Sequence, residues 1–371
     1  MSLELKLMDL KFLLAVHRVL NLTPSRFFKL QKFFKNDWEK VFKAKISDLQ
    51  QAELDPKGIA GFLSMRESVV PEKEIEKLKN CEAEVMIQGE KGFPEELINI
   101  PYAPVILFRR GELLKTDFPC VSVVGSRNIS AYGRRALEYI VTDLARAGIT
   151  IVSGLALGAD TYAHRKALEH GARTICILGN GIDSIYPATN QKLGNQIWQQ
   201  GKGAIISEYL PGIIPRPEYF PVRNRIISGL SKATIVIEAA PKSGSLITAR
   251  TAIEQGREVF AVPGEIFTKN SRGTNELILY GGVHPALSGT QILEQLGFTG
   301  LIEKNQTQRE KPTTEIEAEI IELFGNESRM HINDLICKSD RAGQEVSSNI
   351  AIMEIKGLLK NLGNQMYAKD F

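Results

Sequence analysis

The stretch "FPVRNRIISGLSKATIVIEAAPKSGSLITAR", Phe220 to Arg250, decides how this chain is read. Its centre, ATIVIEAA (233–240), is apolar and β-branched, the pattern of a strand buried on both faces. A helical stripe, IISGL, runs into it, and SLITAR opens a second helix beyond it. Helix, buried strand, helix is the unit from which a covered parallel sheet is built. Both approaches to the strand are cationic and small: Arg223, Asn224 and Arg225 before it, Lys242, Ser243, Gly244 and Ser245 after it. Two arginines near a helix start oppose the helix dipole, which favours anions there. That placement makes sense if an anion comes to them.

Working outward, CVSVVG (120–125), ITIVSG (149–154), RTICILG (173–179), GAIISE (203–208) and REVFAVPG (257–264) repeat the strand pattern. Between them lie helical segments such as YGRRALEYIVTDLARAG. There Ala136, Leu137, Ile140, Val141 and Leu144 make one apolar stripe and Gly148 ends it. The alternation predicts an α/β fold, a Rossmann-like doubly wound parallel sheet over residues 86–300.

Residues 1–85 form a small helical (SAM-like) domain on this reading. LKFLLAVHRVL is one helix; Thr23 caps and Pro24 starts the next, whose Arg26, Lys29, Lys32 and Lys35 surround buried phenylalanines. Residues 301–313 are polar and contain Lys-Pro, a linker. The tail, 314–371, follows the winged-helix order: helix, short helix HINDLICKS, turn, long helix EVSSNIAIMEIKGLLKNLG, then a strand pair closing with NQMYAKDF. Its recognition helix offers only Lys356 and Lys360 beside Glu345 and Glu354, so protein contact is expected there rather than a DNA groove.

The 371 residues carry a formal net charge of +3, a surplus too small to demand a polyanionic partner, so the distribution of charge must decide. The four cysteines form no CxxC pair, which favours reduced thiols over zinc or disulfides. The start, MSLELKLMDL, lacks the basic lead and apolar run of a signal peptide, and no stretch has bilayer length. A cytoplasmic protein without a membrane partner is expected. His17, His164, His170, His284 and His331 show no metal spacing, and His164 is expected to be an ordinary surface histidine.

In an open parallel sheet the strand-to-helix turns share the carboxyl edge, where ligands bind. Four turns here have one character: Gly125-Ser126-Arg127-Asn128, Ser153-Gly154 through Asp160, Phe220 through Arg225, and Lys242-Ser243-Gly244-Ser245. Glycines admit a ligand to the backbone, hydroxyls and helix N-termini donate hydrogen bonds, and arginines grip phosphate in a fork. Phe220 offers a ring on which a base can stack. Duller roles exist for each: Asp160, Ser243 and Ser245 as caps, Phe220 as core, and Glu208 and Glu238 as buried partners of the arginines. The turn GSRNIS lacks the dinucleotide fingerprint, and no phosphate-loop or nucleophile-elbow motif is present, so no cofactor is implied.

These residues resemble the DNA-processing protein A family, also called Smf. The matches are VVGSR (123–127), SGLALGAD (153–160), Leu178-Gly179-Asn180-Gly181, FPVRNRIISGLS (220–231), EAAPKSGSLITAR (238–250), VPG (262–264) and RGTNELI (272–278). Upstream, GFPEELINIPYAPVILFRRG (92–111) is similar to the family's lead-in. The resemblance implies a cytoplasmic, non-catalytic homodimer that binds single-stranded DNA. It implies loading of a RecA-type recombinase onto that strand, in natural transformation where DNA is taken up. Gly125, Ser126, Arg127, Asn224, Arg225, Lys242, Ser243 and Gly244 are the DNA contacts it implies, with Phe220 beside them. Where many relatives carry a glycine-rich hairpin between N-terminal helices, this chain has Leu22-Thr23-Pro24-Ser25. Two other readings stay open: a nucleotide-cleaving hydrolase of the lysine-decarboxylase-like Rossmann group, although its PGGxGTxxE run is absent, and an adaptor working through its tail.

Overall fold

The six apolar runs of the middle region all become strands of one sheet in the computed structural model, which describes residues 3–298, 314–325, 327–356 and 358–369. They are β3 (Cys120–Val124), β4 (Thr150–Ser153), β5 (Thr174–Leu178), β6 (Gly203–Ser207), β7 (Ala233–Val236) and β8 (Glu258–Ala261). Three further strands were not foreseen: β1 (Glu84–Ile87), β2 (Ile106–Gly111) and β9 (His284–Pro285). The order across the sheet is β1-β2-β6-β5-β4-β3-β7-β8-β9. Strands β6 through β9 run parallel, and the β1–β2 hairpin adds antiparallel to β6.

The chain walks outward from β3 through β4 and β5 to β6, then returns to place β7 on the other side of β3. The strand order therefore switches between β3 and β7, whose register pairs Val121 with Ala233 and Val124 with Val236. A crevice at the carboxyl ends of two such strands is where doubly wound sheets hold ligands.

Helices cover both faces. Those of the N-terminal region are α1 (Leu3–Leu20), α2 (Pro24–Phe33), α3 (Trp38–Lys43), α4 (Ile46–Gln51), α5 (Pro56–Arg66) and α6 (Pro71–Asn80). The sheet helices are α7 (Ala131–Arg146), α8 (Ala159–Glu169), α9 (Gln191–Gln199), α10 (Tyr219–Leu230), α11 (Gly244–Glu254), α12 (Lys269–Tyr280) and α13 (Gly289–Gln295). In α7, Leu137, Ile140, Val141 and Leu144 are buried as the stripe requires, and Gly148 turns the chain at φ 78°.

The start signals of the N-terminal helices are local. Thr23, Asp37 and Asp55 accept the backbone N–H three residues on, and Pro24, Pro56 and Pro71 occupy first turns where a missing N–H costs nothing. The phenylalanines of α2 divide: Phe27 is buried, but Phe28 and Phe33 are exposed, contrary to the sequence reading. Arg26 pairs with Asp55 and Lys29 with Glu53, so part of the basic face is already neutralised. These helices do not form a separate core. Leu30, Trp38 and Phe62 belong to one apolar cluster with Phe108, Leu178 and Ile205 of the sheet. Arg18 ties the two parts together, bonding Glu74 at 2.6 Å and the Pro211 carbonyl at 2.7 Å.

The C-terminal residues make a second unit with its own core of Ile320, Phe324, Leu335, Ile350 and Met353. Helices Glu315–Leu323, Ile332–Lys338 and Gly343–Ile355 accompany a three-stranded antiparallel sheet of β10 (Met330–His331), β12 (Met366–Lys369) and β11 (Leu359–Asn361). The long helix stops at Ile355 instead of reaching residue 363. The Leu358-Leu359 pair is buried in the core, and strand pairing with β12 wins over helix propagation. The expected linker, 301–313, lies outside the described residues. Among the described residues no helix is long and apolar enough to cross a membrane.

Candidate functional site

Three of the four turns singled out in the sequence are joined at the carboxyl edge by contacts between residues far apart in the chain, and the fourth follows β7, the strand beside β3. The turn after β3 is pinned by Glu238, at the end of β7. Its buried carboxylate accepts the Ser130 N–H (2.9 Å) and hydroxyl (2.5 Å), and Ser130 in turn caps α7 by accepting the Gly133 N–H at 3.0 Å. Glu238 therefore partners a serine rather than an arginine. The loop after β4 lies on the first turn: the Ala159 N–H donates to the Ser126 carbonyl at 3.1 Å. Gly158 makes this approach possible. It sits at φ 74°, and a Cβ there would stand 2.3 Å from the Ser126 oxygen.

Asp160 organises the same loop. Its carboxylate accepts the N–H groups of Gly154 (3.1 Å) and Ala156 (3.2 Å), while the helix start itself falls at Gly158. Asn190 holds the loop from outside, donating to the Leu155 carbonyl at 2.8 Å. Burial raises the Asp160 carboxyl, against the opposing pull of the nearby Arg223 cation.

Arg223 joins the third turn to the second. It is 4% exposed, and its Nη1 donates to the carbonyls of Gly154 (2.9 Å) and Ile177. A Cβ on Gly154 would meet this guanidinium at 2.5 Å. Desolvation lowers the arginine to about 10, still charged at neutral pH. Arg223 is thus a cation beneath the rim. Ser153, fully buried, donates to the Val123 carbonyl at 2.7 Å and shares that supporting position with Gly154.

His164 corrects the sequence reading. Instead of lying on the surface it is fully buried beside Arg223, bonded to Thr174 Oγ1 at 2.7 Å and 3.5 Å from the Cys176 thiol. Burial first, then the Arg223 charge, lowers its imidazole to about 3. No sequence signal marks this, because the polar partners come from a neighbouring strand.

The Arg225 side chain is largely covered and occupied: Nη2 meets Glu208 Oε1 at 2.6 Å and Nε donates to the Tyr102 carbonyl at 2.9 Å. Asn224 accepts from Arg223 Nε at 3.2 Å. Phe220, in the first turn of α10, is partly exposed between the cations, with Arg127 Cζ 5.8 Å and Arg223 Cζ 5.9 Å from its ring centre. Arg127 itself is exposed above Ser126, whose hydroxyl accepts the Asn128 N–H.

The fourth turn differs from the first. Ser243 holds the N-cap position of α11, but its hydroxyl bonds that of Ser245 at 2.5 Å and caps no backbone N–H. Lys242 is exposed at the tip with φ 65°, and Gly244 is open beside it. The end of α11 thus presents uncapped N–H donors, a positive dipole end and a lysine together.

An open doubly wound sheet with cations, small residues and a bare helix start at its carboxyl edge defines a Rossmann-like protein. A family model described as DNA recombination-mediator protein A matches residues 84–297. The chain belongs to the DNA recombination-mediator protein A family, whose members process DNA. It is 44% identical over 206 residues to DNA processing protein DprA of Streptococcus pneumoniae, covering 56% of this chain and 72% of that one. It is 37% identical over 279 residues to Protein Smf of Synechocystis, covering 74% and 69%. The X-ray structure of the Streptococcus pneumoniae protein superposes with a TM-score of 0.62 at 34% identity, covering 74% of this chain and 98% of that chain. DNA processing protein A from Helicobacter pylori, described for its single-stranded DNA binding mode, gives 0.53 at 29% identity, covering 58% and 96%.

Proposed function

We propose that this chain is a cytoplasmic, non-catalytic mediator that binds single-stranded DNA along its carboxyl edge and delivers the strand to a RecA-type recombinase. The observation that carries the reading is the fourth turn. Lys242 and the uncapped start of α11 stand at the switch point, next to the strand whose turn carries Arg127. A phosphate fits both features, and a sugar-phosphate chain supplies several in succession. The single-stranded DNA binding described for the Helicobacter pylori relative supports the choice of polymer.

The predicted contacts divide by depth. Gly125, Ser126, Arg127, Asn224, Arg225, Lys242, Ser243 and Gly244 meet the strand, with Phe220 beside them, whereas Ser153, Gly154, Arg223 and Ser245 hold the rim from below. The proposed dimer would use exposed apolar side chains at the end of α12, beside the β8–β9 edge, where Leu279 is 69% and Tyr280 81% exposed. The C-terminal unit, with Lys356 bonded to Glu317 and Arg341 to Glu319, is a protein-docking module in this scheme.

Equilibrium binding of the full chain to a single-stranded oligonucleotide tests the reading. Affinity should fall with salt by ~0.7 log units per log of salt for each phosphate neutralised. Absence of binding at low salt rules the function out. Release of free base from nucleoside monophosphates would instead point to the hydrolase.

A further inference from the structure

The contacts proposed so far are to phosphates; the same edge also carries aromatic rings. Phe220 is hemmed in. Gly179 lies beneath it, where a Cβ would come within 2.8 Å of the ring. Arg223 and Arg127 stand against it, and the Tyr186 ring closes a further side with centroids 5.8 Å apart and planes inclined at 33°. Tyr186 is the outer member of this pair and is 48% exposed. It sits in the loop between β5 and α9, on the same carboxyl edge as the four turns.

A second ring pair involves the residue next in sequence. Tyr219, the residue before Phe220, stacks on Tyr209 with centroids 4.5 Å apart and planes at 28°, and Arg216 Cζ lies 6.0 Å from the Tyr219 ring. Aromatic rings flanked by cations, beside a phosphate-binding rim, form the platform on which unpaired bases stack without regard to sequence. A duplex, whose bases are already stacked, cannot use such a ring.

We propose that Tyr186 is a nucleobase-stacking residue of the strand-binding edge, the outer ring of a pair in which Phe220 serves as the support. The proposal rests on the single-strand reading above and deepens it. It assigns the phosphates to Lys242 and Arg127 and the bases to the β5–α9 loop. Phe220 fixes the angle of the outer ring, and Tyr186 offers its face to a base.

Fluorescence anisotropy with the full chain separates the two roles, using an oligothymidylate and an abasic strand of equal length that keeps every phosphate. The unsubstituted protein should bind the oligothymidylate at least about fivefold more tightly than the abasic strand. Tyr186→Ala should weaken oligothymidylate binding between about fivefold and about a hundredfold, leave abasic binding and the salt slope unchanged, and Tyr186→Phe should restore it. Lys242→Ala should weaken binding to both strands. Equal affinity of the unsubstituted protein for the two strands overturns the proposal even if the alanine variant folds poorly, and so does a Tyr186→Ala variant that loses nothing. Should neither strand bind, the failure lies with the single-strand reading itself.

Discussion

At the scale of single residues, the cations of the rim are unequal. Arg225 is engaged by Glu208 at 2.6 Å, a pair that a phosphate must displace or share. Replacing Glu208 by Gln removes the competing charge. Single-strand affinity should rise a few-fold, and the salt slope should steepen by up to ~0.7 as Arg225 becomes available; a weaker, flatter response in the same titration contradicts this. His164 gives a second residue-level expectation. Its folded imidazole resists protonation down to about 3, against an ordinary value of 6.5, with Arg223, Asp160 and Cys176 as its charged or titratable surroundings. Between those values the unfolded chain takes up a proton that the folded one refuses, so stability present above about 6.5 is lost as pH falls. His17, lowered to about 4 mainly by burial, acts in the same sense. Thermal midpoints measured from pH 7 to 5 should decline, and His164→Asn should decline less steeply. Arg225 and Lys242 were legible in the sequence as cations at the edge. Glu208 was legible too, as a partner for the arginines, and it holds Arg225; the second partner, the Tyr102 carbonyl 123 residues away, carries no sequence signal.

At the scale of elements, the parallel strands were legible because burial on both faces leaves an uninterrupted apolar run. The β1–β2 hairpin was not, since Arg109 and Arg110 make the half-exposed end of β2 look like loop, and β9 is two residues long. The tail's last helix was overextended because apolar residues at helical spacing also suit a short strand on a helical core. The loop after β4 and helix α10 form a single mechanical piece through Arg223 and the Gly154 carbonyl. Gly154→Ala puts a methyl into that guanidinium and should cost about 1–3 kcal/mol by overpacking, read as a lower denaturant midpoint. It should weaken strand binding as well, because α10 carries both Phe220 and Arg225. Unaltered stability would show that Arg223 is not locked as described.

At the scale of the whole molecule, the family was legible in the sequence because long motifs such as FPVRNRIISGLS and EAAPKSGSLITAR stand intact at the turns. The helical region is not an independent body. Its apolar face is completed by Phe108 and Leu178, and no residue count near 85 could reveal that shared core. At the end of α12 Leu279 and Tyr280 are exposed, the apolar surface assigned above to the proposed dimer. Leu279→Glu should shift light-scattering mass from dimer to monomer at micromolar concentration; a monomeric unsubstituted chain would remove that interface.

The central claim is that Arg127 and Lys242, on turns of adjacent strands, hold one continuous sugar-phosphate chain. Single-strand affinity of the Arg127→Ala/Lys242→Ala double variant, titrated against salt beside the unsubstituted chain, tests it most directly. Two lost phosphate contacts should weaken binding at low salt and flatten the log–log slope by ~1.4. A variant with the same affinity and the same slope would contradict the account and move the strand to another surface.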